Sequence, residues 1–177
     1  MTLFFYRLMG AAVLDRGSFE NVEADAGLTW QAAAVVLLSS LAAGIGAGGL
    51  YGLSPSTVVA VTSVALVTWV AWAMLVFQIG THVLPGRATS ATLGELLRTT
   101  GFAATPGVLQ VFAVLPGMTV PVFTVTLAWM FAAMVVGVRQ ALDYESTGPA
   151  LAVCAAAAGL SAAMAIFASL LFTPALS

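Results

Sequence analysis

The sequence has no lysine, one cysteine and one histidine, and its formal charges are five arginines and seven acids in 177 residues. A soluble surface needs roughly a quarter to a third of its residues charged, so a charged fraction of 7% excludes an ordinary soluble fold. The net charge of −2 and the absence of a basic stripe leave no footprint for nucleic acid. A lone Cys154 inside an apolar run cannot form an internal disulfide and reads as a small packing residue. His82 has no second histidine beside it and no acid lies within the long apolar stretches, so a metal site or proton path has no parts. A Ser–His–Asp or paired-carboxylate mechanism fails for the same reason. The expectation is a non-enzyme without metal or cofactor.

What is present is hydrophobic residue, at 61% of the chain, with a mean hydropathy of +1.07. The charges fall in three clusters, Arg7 to Asp25, Arg87 to Arg98 and Arg139 to Glu145. Between and after them run uncharged stretches of 61, 40 and 32 residues. A crossing takes about 20 apolar residues, which divides these stretches into five transmembrane helices near 29–48, 56–80, 100–115, 118–138 and 148–172. Continuous rather than alternating apolar runs make the spans helical. The fold class is therefore all-α, a polytopic membrane protein. Five crossings put every charge on one side, and arginine-bearing loops stay cytoplasmic, so the N-terminus reads as inside and the C-terminus as outside.

Met1 to Leu14 is apolar but interrupted by Arg7 and lacks a small-residue cleavage site, which fits an interfacial helix better than a signal peptide. Asp15 to Asp25 reads as an acidic connector in which Ser18 caps a turn carrying Phe19 and Val22 inward. Residues 1–27 thus form a cytoplasmic unit and 28–177 the membrane domain. Thr29 reads as the cap of the first span.

Within the spans, Gly44 and Gly48 are one turn apart, as close helix–helix contact favours. Ala133 and Gly137 share a face of the fourth span, and Ala155, Gly159 and Ala163 form a smooth strip on the fifth. Trp69, Trp72 and Trp129 sit too deep for an interfacial belt; they either line a cavity or pack on small residues with their N–H groups bonded. Ser90 to Thr99 reads as a short helix capped by Ser90 or Thr92, with Glu95 three residues after Thr92 as a capping box prefers. Arg139 and Asp143 are spaced for an ion pair.

The chain's oddity is Gly101-Phe102-Ala103-Ala104-Thr105-Pro106-Gly107, which opens the third span and breaks it. Pro106 removes a backbone donor, and Thr105, Gln110 and water are the candidates to satisfy the freed carbonyl. The break is either a structural kink or the edge of a binding cavity, as in broken transporter helices.

Gly101, Phe102 and Pro106 resemble the Gly-Tyr-x-x-x-Pro motif of the Yip1 family. Five spans, a cytoplasmic N-terminus and a Pro116-Gly117 turn after the motif helix resemble its layout. Asp25-Ala26-Gly27-Leu28 departs from that family's Asp-Leu-x-Gly-Pro motif by lacking the proline. The resemblance, closest to the prokaryotic branch, implies a bacterial inner-membrane protein with an interaction-type, non-enzymatic role. The function read here is a scaffold, adaptor or accessory subunit acting through helix–helix contacts. The partners are then the lipid bilayer and other membrane proteins or a second copy. The alternative is a small-molecule or lipid transporter using Gly101, Phe102, Pro106, Gln110 and the deep tryptophans.

Overall fold

Among the described residues, seven α-helices form where the apolar runs allow them. They are α1 (Thr2–Ala12), α2 (Arg16–Ala24), α3 (Thr29–Tyr51), α4 (Pro55–Gln78), α5 (Leu93–Ala103), α6 (Thr119–Ala141) and α7 (Thr147–Phe172). This is a computed structural model, describing residues 2–52, 54–87 and 89–172. Leu53, within the turn expected between the first two spans, and the tail after Phe172 lie outside the described residues. No strand occurs among the described residues, and four helices are long and apolar enough to cross a membrane: Ala26–Gly48, Pro55–Val83, Thr119–Ala141 and Thr147–Met164. The fold is all-α and polytopic.

Local chemistry sets the helix ends. Ser54 accepts the Thr57 N–H at 3.1 Å, with Pro55 in the first turn of α4 where its missing donor is harmless. The capping box at α5 is complete: Glu95 accepts the Thr92 N–H at 2.7 Å and Thr92 accepts the Glu95 N–H at 3.3 Å. Three expectations give way. Asp15, not Ser18, caps α2, accepting both the N–H and the hydroxyl of Ser18 at 2.9 and 2.7 Å. Asp25, accepting the Gly27 N–H at 2.9 Å, caps a short 3₁₀ turn, Ala26–Leu28, that leads into α3, and Thr29 closes that turn on the Ala26 carbonyl and does not cap α3. Arg139 does not pair with Asp143, which stands at φ +51° beyond the helix end. Its guanidinium donates instead to the carbonyls of Tyr144 and Glu145 and to the Thr147 hydroxyl, holding the α6–α7 loop.

The acidic stretch read as a connector is the docked helix α2. Phe19 and Val22 are fully buried there, with Ala32, Val35, Phe102 and Ala133, in a core shared by α1, α2, α3, α5 and α6. A second core joins α4, α5, α6 and α7 through Val76, Leu96, Val138, Leu142 and Val153. Tyr144 seals it by donating to the Leu84 carbonyl at 2.6 Å.

The helix break falls later than Gly101. α5 runs unbroken through Gly101 and Phe102 to Ala103, and Thr105–Val114 then forms a ten-residue 3₁₀ helix, far beyond the usual three or four residues. This segment lies between α3 and α6 and parallel to α3. Gly101 abuts Ala32, the Ser39 hydroxyl donates to the Ala104 carbonyl at 2.7 Å, and Gly46 abuts the Gln110 carbonyl and Ala113. Ala32, Ser39 and Gly46 are seven residues apart, together a rise of about 21 Å along α3. The stretch from Gly101 to Ala113 is two residues shorter. At about 2.0 Å per residue the 3₁₀ portion makes up the difference, giving roughly 22 Å. α6 runs the other way, with Gly137 against Thr99, Met130 against Gly107 and the Thr119 hydroxyl donating to the Ala113 carbonyl at 2.7 Å.

Candidate functional site

The 3₁₀ segment is where irregular backbone meets buried polar groups. Pro106 offers no N–H, so the Phe102 carbonyl loses its ordinary helical donor. The Thr105 hydroxyl replaces it at 2.6 Å. The second residue considered for that task, Gln110, points elsewhere: its amide donates to the Met130 sulfur at 3.8 Å.

Gln110 lines a cavity of about 400 Å³ between α3, α4, α6 and the 3₁₀ segment, together with Trp69, Trp72, Ser40, Phe123 and Met130. Trp69 is tied down, donating to the Thr100 hydroxyl at 3.2 Å. Trp72 has a buried indole N–H with no acceptor among the described residues.

The other residues grouped with these lie apart. Pro106 and Trp129 line a separate apolar groove of about 340 Å³ on the opposite side of the 3₁₀ segment, beneath α1 with Phe5, Leu8 and Met9. Trp129 donates to the Ala12 carbonyl at 2.7 Å and so fastens the end of α1 to α6. Gly101 and Phe102 line neither space. Gly101 is the close-approach point to Ala32, and Phe102 is fully buried, edge-on to Phe4. The motif residues therefore build the core, while the cavity is built by residues outside the motif.

The packing residues divide as well. A Cβ at Gly44 would come 2.9 Å from the Val58 carbonyl, fixing the α3–α4 approach. Gly48 accepts the Gly52 N–H at 3.0 Å as α3 ends. Ala133 and Gly137 receive Phe19 of α2. Ala155 and Gly159 are both exposed, and among the described residues a Cβ at Gly159 meets no atom within 4 Å. α7 docks instead by its opposite face, Ala150, Val153, Cys154 and Ala157.

At the other end of α5, away from the 3₁₀ segment, a polar cup of about 410 Å³ is lined by Glu20, Glu23, Glu95, Arg98, Gln140 and Asp143. Arg98 is only 7% exposed and donates to the carbonyls of Val22 and Glu23 at 3.3 and 2.6 Å, capping the last turn of α2. Burial, together with the negative charges of Asp143, Glu95 and Glu20, pushes the Glu23 carboxyl up to about 7 against the opposing pull of Arg98. Asp15 is held below its ordinary range by the Ser18 hydrogen bonds. Arg98, Ser39 and Gly46 were not singled out from the sequence. The one available signal was polarity, an arginine on an otherwise leucine-rich helix and a serine in mid-span.

His82 is exposed in a π-helical turn ending α4, its ring nitrogen hydrogen-bonded with the Thr81 hydroxyl at 2.7 Å. Among the described residues no group of three or more His, Cys, Asp or Glu is placed to hold a metal. The four long apolar helices and the all-helical packing around them define a polytopic membrane protein. Within that class, the family model Yip1 domain matches residues 12–170, and the chain belongs to this family. No curated protein and no solved structure matches it.

Proposed function

We propose that this Yip1-domain protein is a non-enzymatic membrane scaffold or accessory subunit that crosses the bilayer five times. The α5–3₁₀ unit serves as the third crossing, since it runs parallel to α3 over about 21 Å of its length. The charged loops and α2 then face the cytoplasm, by the bias of arginine toward that side.

The observation that carries the scaffold reading is the outward face of α7. Ala152, Ala155, Ala156, Gly159 and Ala163 recur at helical spacing, all exposed, on a helix whose other face is already docked. Small residues at such spacing let a second helix approach to backbone contact, the main source of association within lipid. The partner is another membrane protein or a second copy.

Gly159→Leu tests this cleanly, because the chain itself leaves that position open. In native-detergent mass measurements and chemical crosslinking of membranes, the variant should fold as the parent does and lose its higher-mass species. Unchanged association, or a parent that is strictly monomeric and partner-free, would overturn the reading.

A further inference from the structure

The cavity between α3, α4, α6 and the 3₁₀ segment is larger and more specific in its chemistry than helix packing requires. Its volume of about 400 Å³ is within the range of ligand pockets, roughly 300–1,000 Å³. No charged side chain lines it. Gln110 is only 4% exposed, and its carboxamide, with two donor hydrogens and an acceptor oxygen, has one contact, to the weakly accepting thioether of Met130. Trp72 lies on the same lining and adds apolar surface to it, its N–H being fully buried. A buried carboxamide left this poorly served is unfavourable unless something else completes it. At the rim, Thr68 of α4 and Leu127 of α6 are exposed, so the cavity opens sideways toward lipid.

We propose that this cavity binds a neutral amphiphile drawn from the bilayer, an apolar chain or ring system carrying one uncharged hydroxyl or carbonyl. The oxygen accepts from the Gln110 amide, and the apolar body lies against Trp69, Trp72, Phe123, Leu127 and Phe131. A charged headgroup is excluded by the lack of any counter-charge in the lining and by the desolvation it would suffer. A polyhydroxylated one is excluded by the scarcity of polar partners. The proposal does not depend on the scaffold role.

The test uses the full chain with Trp30→Phe and Trp129→Phe, which leaves Trp69 and Trp72, both on the cavity lining, as the fluorophores. Tryptophan emission is followed in nanodiscs against a bromine-terminated dodecanol, with bromododecane and bromododecanoate at alkaline pH as comparison probes; bromine quenches indole on contact. The expected result is saturable quenching by the alcohol, displaced by plain dodecanol. Affinity should be about fivefold weaker for bromododecane, as the loss of one hydrogen bond predicts. Gln110→Leu should weaken the alcohol by a similar factor and remove the difference between alcohol and hydrocarbon. Ala65→Leu, which fills the cavity, should abolish saturation, and Gln110→Leu decides the matter if that variant does not fold. Quenching that rises linearly with every probe, equal affinity for alcohol and hydrocarbon in the parent, or a carboxylate bound as tightly as the alcohol would overturn the proposal.

Discussion

Glu23 is the side chain whose ionisation is most altered by the fold outside the membrane-spanning segments. Its ordinary value is 4.5 and its folded value about 7, because docking α2 strips water from the carboxyl and sets it among Asp143, Glu95 and Glu20. A raised folded value means that the docked state binds the proton more tightly than the free one. The stabilisation is therefore complete below about pH 4.5 and is lost as pH rises through about 7. Hydrogen exchange of the α2 amides, corrected for intrinsic rates, should show looser docking at pH 8 than at pH 5.5. Glu23→Gln should remove most of that difference; a pH response that survives it would assign the effect elsewhere. Steric predictions at the same scale come in a matched pair. Gly46→Val drives a side chain into the Gln110 carbonyl, and overpacking of this kind costs about 1–3 kcal/mol. Gly159→Val meets open space and should leave thermal stability in detergent unchanged.

Among the elements, the 3₁₀ helix is the one that positions the rest. A 16-residue apolar stretch, 100–115, is short for a crossing, and the break at Pro106 made a kinked α-helix the natural expectation. The fold instead stretches ten residues into 3₁₀ geometry, with the Thr105 and Ser39 hydroxyls supplying donors to the carbonyls of Phe102 and Ala104. The four long helices were legible in the sequence because uncharged runs of that length have no other stable form in lipid. The capping box at Thr92 was legible because it is a local rule. The division of the tryptophans was not: Trp69 and Trp129 fall on different sides of the 3₁₀ segment because of helix register, which hydropathy does not encode. The inward turn of Phe19 and Val22 was legible, but a full docked helix in place of a connector was not, since the outward face of α2 is acidic and only Ser18, Phe19 and Val22 are buried. The small-residue strip on α7 was visible as a pattern, but only the structure shows that it faces away from the chain's own core.

At the scale of the molecule, packing is concentrated at one end. Both cores, the Arg98 anchor on α2 and the Tyr144 seal lie toward the charged loops. Farther along, α4, α6 and α7 present exposed apolar side chains such as Val59, Val64, Val120, Val125, Met164 and Phe167, surface suited to lipid or to partner helices. Among the described residues, α7 packs through Ala150, Val153, Cys154 and Ala157 and exposes Ala155 and Gly159. All of it depends on the α5–3₁₀ unit passing through the bilayer alongside α3 and not dipping back. The most direct measurement is labelling of single cysteines, in a Cys154→Ser background, with a membrane-impermeant maleimide on intact and permeabilised cells. The positions are Arg87→Cys, Pro116→Cys and Glu145→Cys, all at exposed sites. Five crossings predict that position 116 reacts from outside while 87 and 145 react only after permeabilisation. Reaction of 87 and 116 from the same side of the membrane would contradict the account.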